Sequence, residues 1–494
     1  MSVPLLILIF TPLLAGLLSL VMRTQRALER LQCILAVVLW GSMASVVSSF
    51  ASGSDVSTGY LLRVDPLSAF MDFMLAFVSG TGLLFAVGYM GEKLIRGEMK
   101  LNHYCRFFFF FNFFLFAMLL TVNLDNIALM WISLESSTLA AALLVGFERT
   151  KSALEAGWKY VILSFIGIAL SLFGTVLMYY ASEHVLGVGM EALSLKALYR
   201  VSPYLNPAAL KLAFIFVLIG YGTKAGVVPM HTWLPDAHAE APTPVSAILS
   251  GLMLNVGLYA LLRFKSITDQ ALGEGFTGPL VLGFGLLSLT VAAFFMLIQK
   301  DYKRLLAYSS IEHVGIAMVG FGVGGPLGVF GGFFHMIHHA LVKSTAFYSA
   351  GGVLLKSGHK EMERITGMLK RLPIAGIGLL LAAMGLAGMP PAGLFVSELL
   401  IATSAYRNYP VLTYLFLTLL ILTFGALMYH IPHMVLGNTT EKDEPINDRT
   451  RNFITTAILI NLAAMYYGGF NLPWFLRTMT VPMTGIFGAR IEFP

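Results

Sequence analysis

The chain has 494 residues, of which 57% are apolar and 12% charged, with a formal net charge of +6 and a mean hydropathy of +0.79. A soluble domain carries about a quarter charged residues, so this composition excludes an ordinary water-soluble enzyme. The basic residues sit in loops between apolar blocks, which makes the positive charge a topology signal rather than a nucleic-acid footprint.

The apolar blocks are about twenty residues long, enough to cross the hydrocarbon core of a bilayer. Backbone groups in lipid must be satisfied within the chain, so these blocks are read as helices. The pattern predicts an all-α polytopic membrane protein of about fourteen transmembrane helices. They cover 3–22, 31–50, 67–90, 106–122, 125–146, 157–181, 207–228, 243–263, 278–298, 304–322, 327–352, 373–403, 411–435 and 453–470. The first segment lacks a basic n-region and a small-residue cleavage site, so it reads as a retained helix rather than a signal peptide. The two cysteines, Cys33 and Cys105, have no CxxC neighbour, which argues against an iron–sulfur cluster or zinc site in this chain.

Loops leaving odd-numbered segments hold most of the basic residues, such as Arg23, Arg96, Arg149, Lys303, Lys370 and Lys442. The opposite side has fewer, among them Arg63, Lys211, Arg263, Lys265, Arg407, Arg477 and Arg490. That bias assigns the first side to the cytoplasm and both termini to the outside.

Segment 5 carries Glu135 near its middle, where an ionised group costs about 3 kcal/mol on insertion scales. It is either a proton site or a structural ion-pair partner. Segment 7 carries Lys224 just before an interruption, Val228-Pro229-Met230-His231-Thr232-Trp233-Leu234-Pro235-Asp236. A buried lysine whose carboxylate partner can move is a switchable proton carrier, and Glu135 is the candidate partner. His231, Asp236, His238 and Glu240 are expected at the mouth of this break, as relay or gate residues or simply in a solvated loop. Segment 10 carries Glu312 and His313; these are further relay candidates or hold helices together. Gly322, Gly324 and Gly325 form a weak glycine-rich loop, but no strand precedes it, which argues against a nucleotide site.

Segment 11 carries His335, His338, His339 and Lys343. Positions 335, 339 and 343 are four apart and share one helical face. With no acidic or cysteine ligand beside them, a proton relay suits these imidazoles better than a metal site. Segment 12 is broken at Gly388-Met389-Pro390-Pro391-Ala392-Gly393, and Glu398 follows as a candidate end of the path. Two breaks five segments apart suggest two inverted five-helix repeats, segments 4–8 and 9–13. The chain then divides into 1–105, 106–265, 278–435 and 436–494.

Long ordered stretches carry a resemblance. They are Leu134-Glu135, Thr223 to Pro229, His231 to His238 continuing to Ser246, Lys303 to Ser310, His339 to Lys343 and Gly393 to Glu398. Across most of its length the chain resembles the antiporter-like subunits of respiratory complex I, Mrp-type cation/proton antiporters and membrane-bound hydrogenases. Within that superfamily, Ser310-Ile311-Glu312-His313 resembles the hydrogenase-4 component F type. The resemblance implies fourteen helices, inverted repeats, broken helices 7 and 12, a Glu135–Lys224 pair, a relay lysine at Lys343 and an exit at Glu398. Family members commonly carry lysine or histidine on helix 8, whereas Asn255 stands here and cannot carry a charge.

The function implied is a proton-translocating subunit of a redox-driven complex in a bacterial or archaeal cytoplasmic membrane. It would have no catalytic residue, metal or cofactor of its own. Its partners would be other membrane subunits and a peripheral arm holding iron–sulfur clusters with a NiFe centre or flavin. Competing readings are a Na⁺/H⁺ antiporter subunit, an energy-coupling subunit of an inorganic-carbon accumulation complex, and a non-conducting membrane anchor.

Overall fold

A computed structural model describes residues 3–53, 56–58, 61–438, 444–470 and 486–487. Lys442, Arg477 and Arg490 of the charge pattern, and most of the tail after 470, lie outside the described residues. The chain is built of helices: α1 (Val3–Val21), α2 (Gln25–Ala51), α3 (Pro66–Ile95), α4 (Leu101–Asn123), α5 (Ile127–Val145), α6 (Lys151–Leu186) and α7 (Leu195–Val201). They continue as α8 (Pro207–Ala225), α9 (Trp233–Glu240), α10 (Thr243–Ile248), α11 (Leu254–Leu272), α12 (Glu274–Leu297), α13 (Tyr302–Val323) and α14 (Gly325–Ser357). The last are α15 (Met368–Arg371), α16 (Pro373–Leu386), α17 (Gly393–Asn408), α18 (Pro410–Val435) and α19 (Asp448–Phe470). Two short antiparallel strands, β1 (Ser57–Thr58) and β2 (Leu62–Arg63), join α2 to α3.

Every predicted segment falls on a helix or on a helix pair flanking a break. Among the described residues, 11 helical stretches are long and apolar enough to cross a membrane. The other predicted segments correspond to α14, the α16–α17 pair and α19. Burial sorts the bundle into layers. The apolar windows of α10–α11 and of α13 are wholly enclosed, while α1, α6 and α18 bury well under half of theirs and present side chains such as Leu14, Phe165 and Ile421 outward. In a bilayer that outward apolar surface faces lipid.

Segment ends moved where a polar side chain caps a helix earlier than hydropathy suggests. Thr24, Thr150 and Asp301 accept from the first-turn amides of α2, α6 and α13. Arg26, Arg30 and Lys151 therefore lie on helices rather than in loops. The sequence reading of Arg263, Lys265 and Lys303 as loop cations is corrected. All three are buried on helices, because α11 runs on to Leu272 and α13 begins at Tyr302.

Close helix contacts rest on small residues. A Cβ on Gly285 of α12 would lie 2.8 Å from the Gly315 carbonyl of α13, and one on Gly315 would lie 2.7 Å from the Gly285 carbonyl. Only hydrogen fits at that crossing.

Both breaks open on a left-handed glycine and carry a proline three residues later. Gly226, with φ +75°, ends α8 before Pro229, and Gly388, with φ +65°, follows α16 before Pro391. The Val228–Pro229 and Pro390–Pro391 peptide bonds are cis. At the first break the freed Val228 amide donates to Ser288 Oγ of α12 at 3.0 Å, so the unwound backbone is satisfied by a neighbour. A Cβ on Gly226 would also collide with Leu234. Gly226→Ala is expected to lower stability by about 1–2 kcal/mol from backbone conformation alone, read as an earlier thermal unfolding midpoint in detergent.

Candidate functional site

The last turn of α8 carries Lys224 into the bundle just ahead of the first break, and its side chain is buried. Its Nζ donates to Thr138 Oγ1 of α5 at 2.5 Å and to the Tyr160 hydroxyl of α6 at 3.1 Å. Tyr160 packs edge-on against Trp233 at 4.9 Å, and the Trp233 indole donates to the Thr223 carbonyl at 3.0 Å. That bond uses a carbonyl near the C-terminal end of α8 and pins α9 across the gap.

Glu135 lies one turn before Thr138 on α5. Its two carboxylate oxygens are enclosed and have no hydrogen-bond partner. The expected Glu135–Lys224 pairing is therefore electrostatic rather than a contact: each charge acts on the other, but the ammonium is held by two hydroxyls. A carboxylate without a fixed partner next to a lysine held only by neutral groups is an arrangement that either side chain can leave.

From Tyr160 the polar line meets a wide π turn at Leu249–Met253, between α10 and α11. The Tyr160 hydroxyl donates to Met253 Sδ at 3.5 Å, and Ser250 Oγ lies 2.7 Å from Ser310 Oγ on α13. π turns are rare and cluster at functional sites. Asn255 donates from Nδ2 to the Gly251 carbonyl at 2.8 Å, so its side chain serves its own helix.

Beyond Ser310 stands the second lysine. Lys343 of α14 donates from Nζ to the Leu306 carbonyl at 2.9 Å and to Ser309 Oγ. One turn back on the same face is His339, whose ring centroid is 5.3 Å from that of His313 on α13. His313 Nδ1 and His335 Nε2 are 3.1 Å apart, and His335 Nδ1 is 2.9 Å from Ser397 Oγ on α17. Ser397 is followed by the buried Glu398, one of whose oxygens lies within 4.8 Å of ring nitrogens of His313 and His335. The structure thus joins α14, α13 and α17 through Lys343, His339, His313, His335 and Glu398. Glu312 sits beside this line, its Oε2 unpartnered and its charge acting on Lys343 and Glu398.

His338 is off this face. Its ring sits against Phe334 at 4.4 Å and in the space that Gly393 and Gly468 leave by lacking a Cβ, so it packs against the second break.

Of the residues expected at the mouth of the first break, as relay or gate or in a solvated loop, only His238 is wholly enclosed, while Asp236 and Glu240 keep 23% and 25% side-chain exposure. His238 is buried on α9, stacked on Phe347 at 5.5 Å, and neither ring nitrogen has a partner. Asp236 pairs with Lys159 at 3.0 Å and Arg304 at 2.9 Å, and Glu240 pairs with Lys360 at 3.2 Å. The Asp236 pairs tie α9 to α6 and α13, and the Glu240 pair ties it to the loop after α14. His231 lies in the unwound stretch with Nδ1 unpartnered.

Sequence reasoning missed Lys303, which donates to the Ala241 carbonyl at 2.6 Å beside the α9–α10 junction. The helix-capping Asp301, two residues earlier, was the available signal that Lys303 sits on a helix. Thr138, Tyr160, Ser250, Ser309, Ser310 and Ser397 were also missed. Hydroxyls in apolar helices usually bond their own backbone, so their cross-helix role leaves no mark in the sequence. Asp72 of α3, buried and bonded to Asn123 Nδ2 at 2.7 Å, was passed over as well, and it does not touch the line described above.

Residues 125–423 match the family described as NADH:quinone oxidoreductase/Mrp antiporter, TM. The chain is 37% identical over 437 residues to a hydrogenase-4 component F homolog of Methylacidiphilum infernorum, covering 88% of this chain and 92% of that one. It is 31% identical over 349 residues to hydrogenase-4 component B of Escherichia coli, covering 68% of this chain and 50% of that protein. A chain of the membrane-bound sulfane sulfur reductase, an archaeal respiratory membrane complex, shares the fold with a TM-score of 0.86 at 22% identity, covering 99% and 98% of the two chains. With more than half of its length matched, this polytopic membrane protein belongs to the NADH:quinone oxidoreductase/Mrp antiporter transmembrane family.

Proposed function

We propose that the chain is the proton-translocating membrane subunit of a redox-driven complex of the hydrogenase-4 type. The observation that carries this reading is a pair of buried polar clusters, Lys224 with Thr138 and Tyr160, and Lys343 with Ser309, His339, His313, His335 and Glu398, with the Ser250–Ser310 contact between them. Ionisable groups enclosed within membrane helices are costly to keep and mark ion pathways. Partner subunits carrying iron–sulfur clusters, with a NiFe centre or flavin, supply the electron transfer.

A change in charge at the neighbouring subunit shifts Glu135, which alters the field at Lys224. Lys224 releases its proton toward the hydroxyls that hold it, and water between the helices carries it past the π turn. Lys343 and the three imidazoles hand it on to Glu398, each imidazole taking a proton on one ring nitrogen and giving one up from the other. Asn255 carries no charge, so the Ser250–Ser310 contact is the polar stepping stone between the two lysine halves, with water completing the way to Tyr160. Ser310→Ala is expected to slow translocation several-fold, in line with the loss of one hydrogen bond worth about 1 kcal/mol.

The repeats are assigned to 106–265 and 278–435, supported by the shared Gly-x-x-Pro order at both breaks. The chain sits in a bacterial or archaeal cytoplasmic membrane with both termini outside, a reading supported by the basic loops.

The test is ion uptake into inside-out vesicles holding the assembled complex. Donor-driven acidification that persists without sodium is the expected result. Acidification that needs a sodium gradient and no electron donor would make the chain an antiporter subunit instead. Purification with a lone soluble carbonic-anhydrase-like partner would move it to inorganic-carbon accumulation.

A further inference from the structure

A crevice of about 670 Å³ opens on the side of the bundle among α1, α4, α5 and α6, away from the Lys224–Glu398 line. Its walls are apolar, with Phe109, Phe110, Leu143, Leu154, Trp158 and Val161 among the lining residues. One end is different: Arg106, at the start of α4, and Arg149, in the α5–α6 turn, both line it. Arg149 has φ +57°, a left-handed backbone that non-glycine residues seldom adopt.

These two arginines share the crevice's apolar lining with no acidic neighbour. On the same basic-rich side, Lys93, Arg96, Lys159, Arg304 and Arg449 each hold a carboxylate. Among the described residues neither Arg106 nor Arg149 forms an ion pair, and no acidic side chain lines the crevice. Two unpaired guanidiniums at one end of an apolar slot call for a ligand with an anionic head and a hydrocarbon body.

We propose that this crevice binds one anionic phospholipid. Arg106 and Arg149 hold its phosphate, a geometry guanidinium favours through paired N–H donors. The upper acyl chains lie along Phe109, Phe110, Leu143 and Val161, and the outward-facing Trp158 indole, 67% exposed, sits at headgroup level. Basic pockets between membrane helices recognise anionic lipid headgroups in this way. A soluble anion would gain nothing from the apolar walls. A neutral lipid or quinone would gain little from the two arginines.

The complex containing this chain, purified in mild detergent and stripped of lipid, is titrated with phosphatidylglycerol or phosphatidylcholine while bound lipid is counted by native mass spectrometry. The wild type is expected to retain phosphatidylglycerol preferentially. Arg106→Gln with Arg149→Gln should weaken that binding at least tenfold, from roughly fivefold per basic residue, and leave phosphatidylcholine binding unchanged. Both side chains are at the surface, so the variant assembles. Ala142→Phe narrows the slot with both charges intact and should also displace the lipid. Equal phosphatidylglycerol retention by the double arginine variant overturns the proposal. So does competition by inorganic phosphate as effective as that by lipid, or a partner subunit's helix found seated in the crevice of the assembled complex.

Discussion

Lys224→Met is expected to reduce redox-driven proton translocation to the background of vesicles lacking the complex, while leaving assembly intact. The two halves of this expectation have separate causes. Assembly survives because methionine has similar length and suits a buried apolar site, and because the groups that Lys224 leaves behind keep other partners. The Thr138 hydroxyl can donate to the Leu134 carbonyl at 3.3 Å, and the Tyr160 hydroxyl already donates to Met253 Sδ. No buried donor is stranded, and Glu135, whose oxygens are enclosed and unpartnered, is neutralised by taking up a proton once the cation is gone, which keeps the penalty below that of an unpaired buried charge. Translocation fails because the line then lacks its first proton carrier, and neither hydroxyl substitutes for an amine that gains and loses charge. Lys224→Arg should fail as well, since a guanidinium stays charged at any working pH. Lys343→Met follows the same logic in the second half: Ser309 Oγ retains the Leu306 carbonyl as an acceptor at 3.2 Å. The measurement is quenching of a pH-sensitive dye in inside-out vesicles, normalised to assembled complex on a native gel. Undiminished acidification by either methionine variant would remove that lysine from the path. Loss with Lys343→Met but not Lys224→Met would confine conduction to the second half of the bundle.

The elements that rest on local pattern were legible in the sequence. Apolar blocks of membrane-spanning length, two proline breaks, and lysines or glutamate in the middle of such blocks are all local facts, and each falls in a helix or a break where expected. The shared face of His335, His339 and Lys343 was legible because four-residue spacing alone specifies it. What was not legible is anything decided between helices. His313 and His335 meet across the α13–α14 packing, and Ser397 reaches His335 only because α17 restarts after a left-handed glycine. Lys303 looked like a topology cation because hydropathy does not see a capping aspartate. His238 looked solvated because proline and charge surround it in sequence, whereas Phe347 of α14 covers it in space. Glu135 and Lys224 are a reminder that two correctly chosen residues need not touch; their common neighbour, Thr138, is the contact that sequence could not supply.

The other large effect expected is on stability, and it belongs to a pair far from that line. Arg263 of α11 is buried, its guanidinium 4.8 Å from the Tyr259 ring centroid, and it grips Asp65 with both ends of its fork at 2.5 and 2.7 Å. Asp65 also caps α3, accepting from the Leu67 and Ser68 amides at 3.0 and 2.9 Å. Arg263→Ala removes the cation and leaves a carboxylate that is 18% exposed and still accepts from two amides, a change expected to cost less than the about 3–5 kcal/mol of a fully buried pair but well above a surface substitution. Burial alone would push the Asp65 carboxyl up, but the Arg263 charge and hydrogen bonds and the Ser68 amide outweigh it and hold it below the usual carboxylate range. A depressed carboxyl stabilises the fold above its unfolded value of about 4 and loses that contribution as pH falls through its folded value. Without the cation, burial raises the Asp65 carboxyl, so the deficit of Arg263→Ala should be full near pH 8 and shrink steadily as pH falls toward about 4. Asp65→Asn in the same background should restore part of the loss, because asparagine keeps the helix cap without the charge. Thermal unfolding in detergent across that pH range reads all three expectations. Translocation per assembled complex should be unchanged. A translocation defect in Arg263→Ala with undiminished stability would instead put this pair, and with it the nearby Asp72, on the proton path.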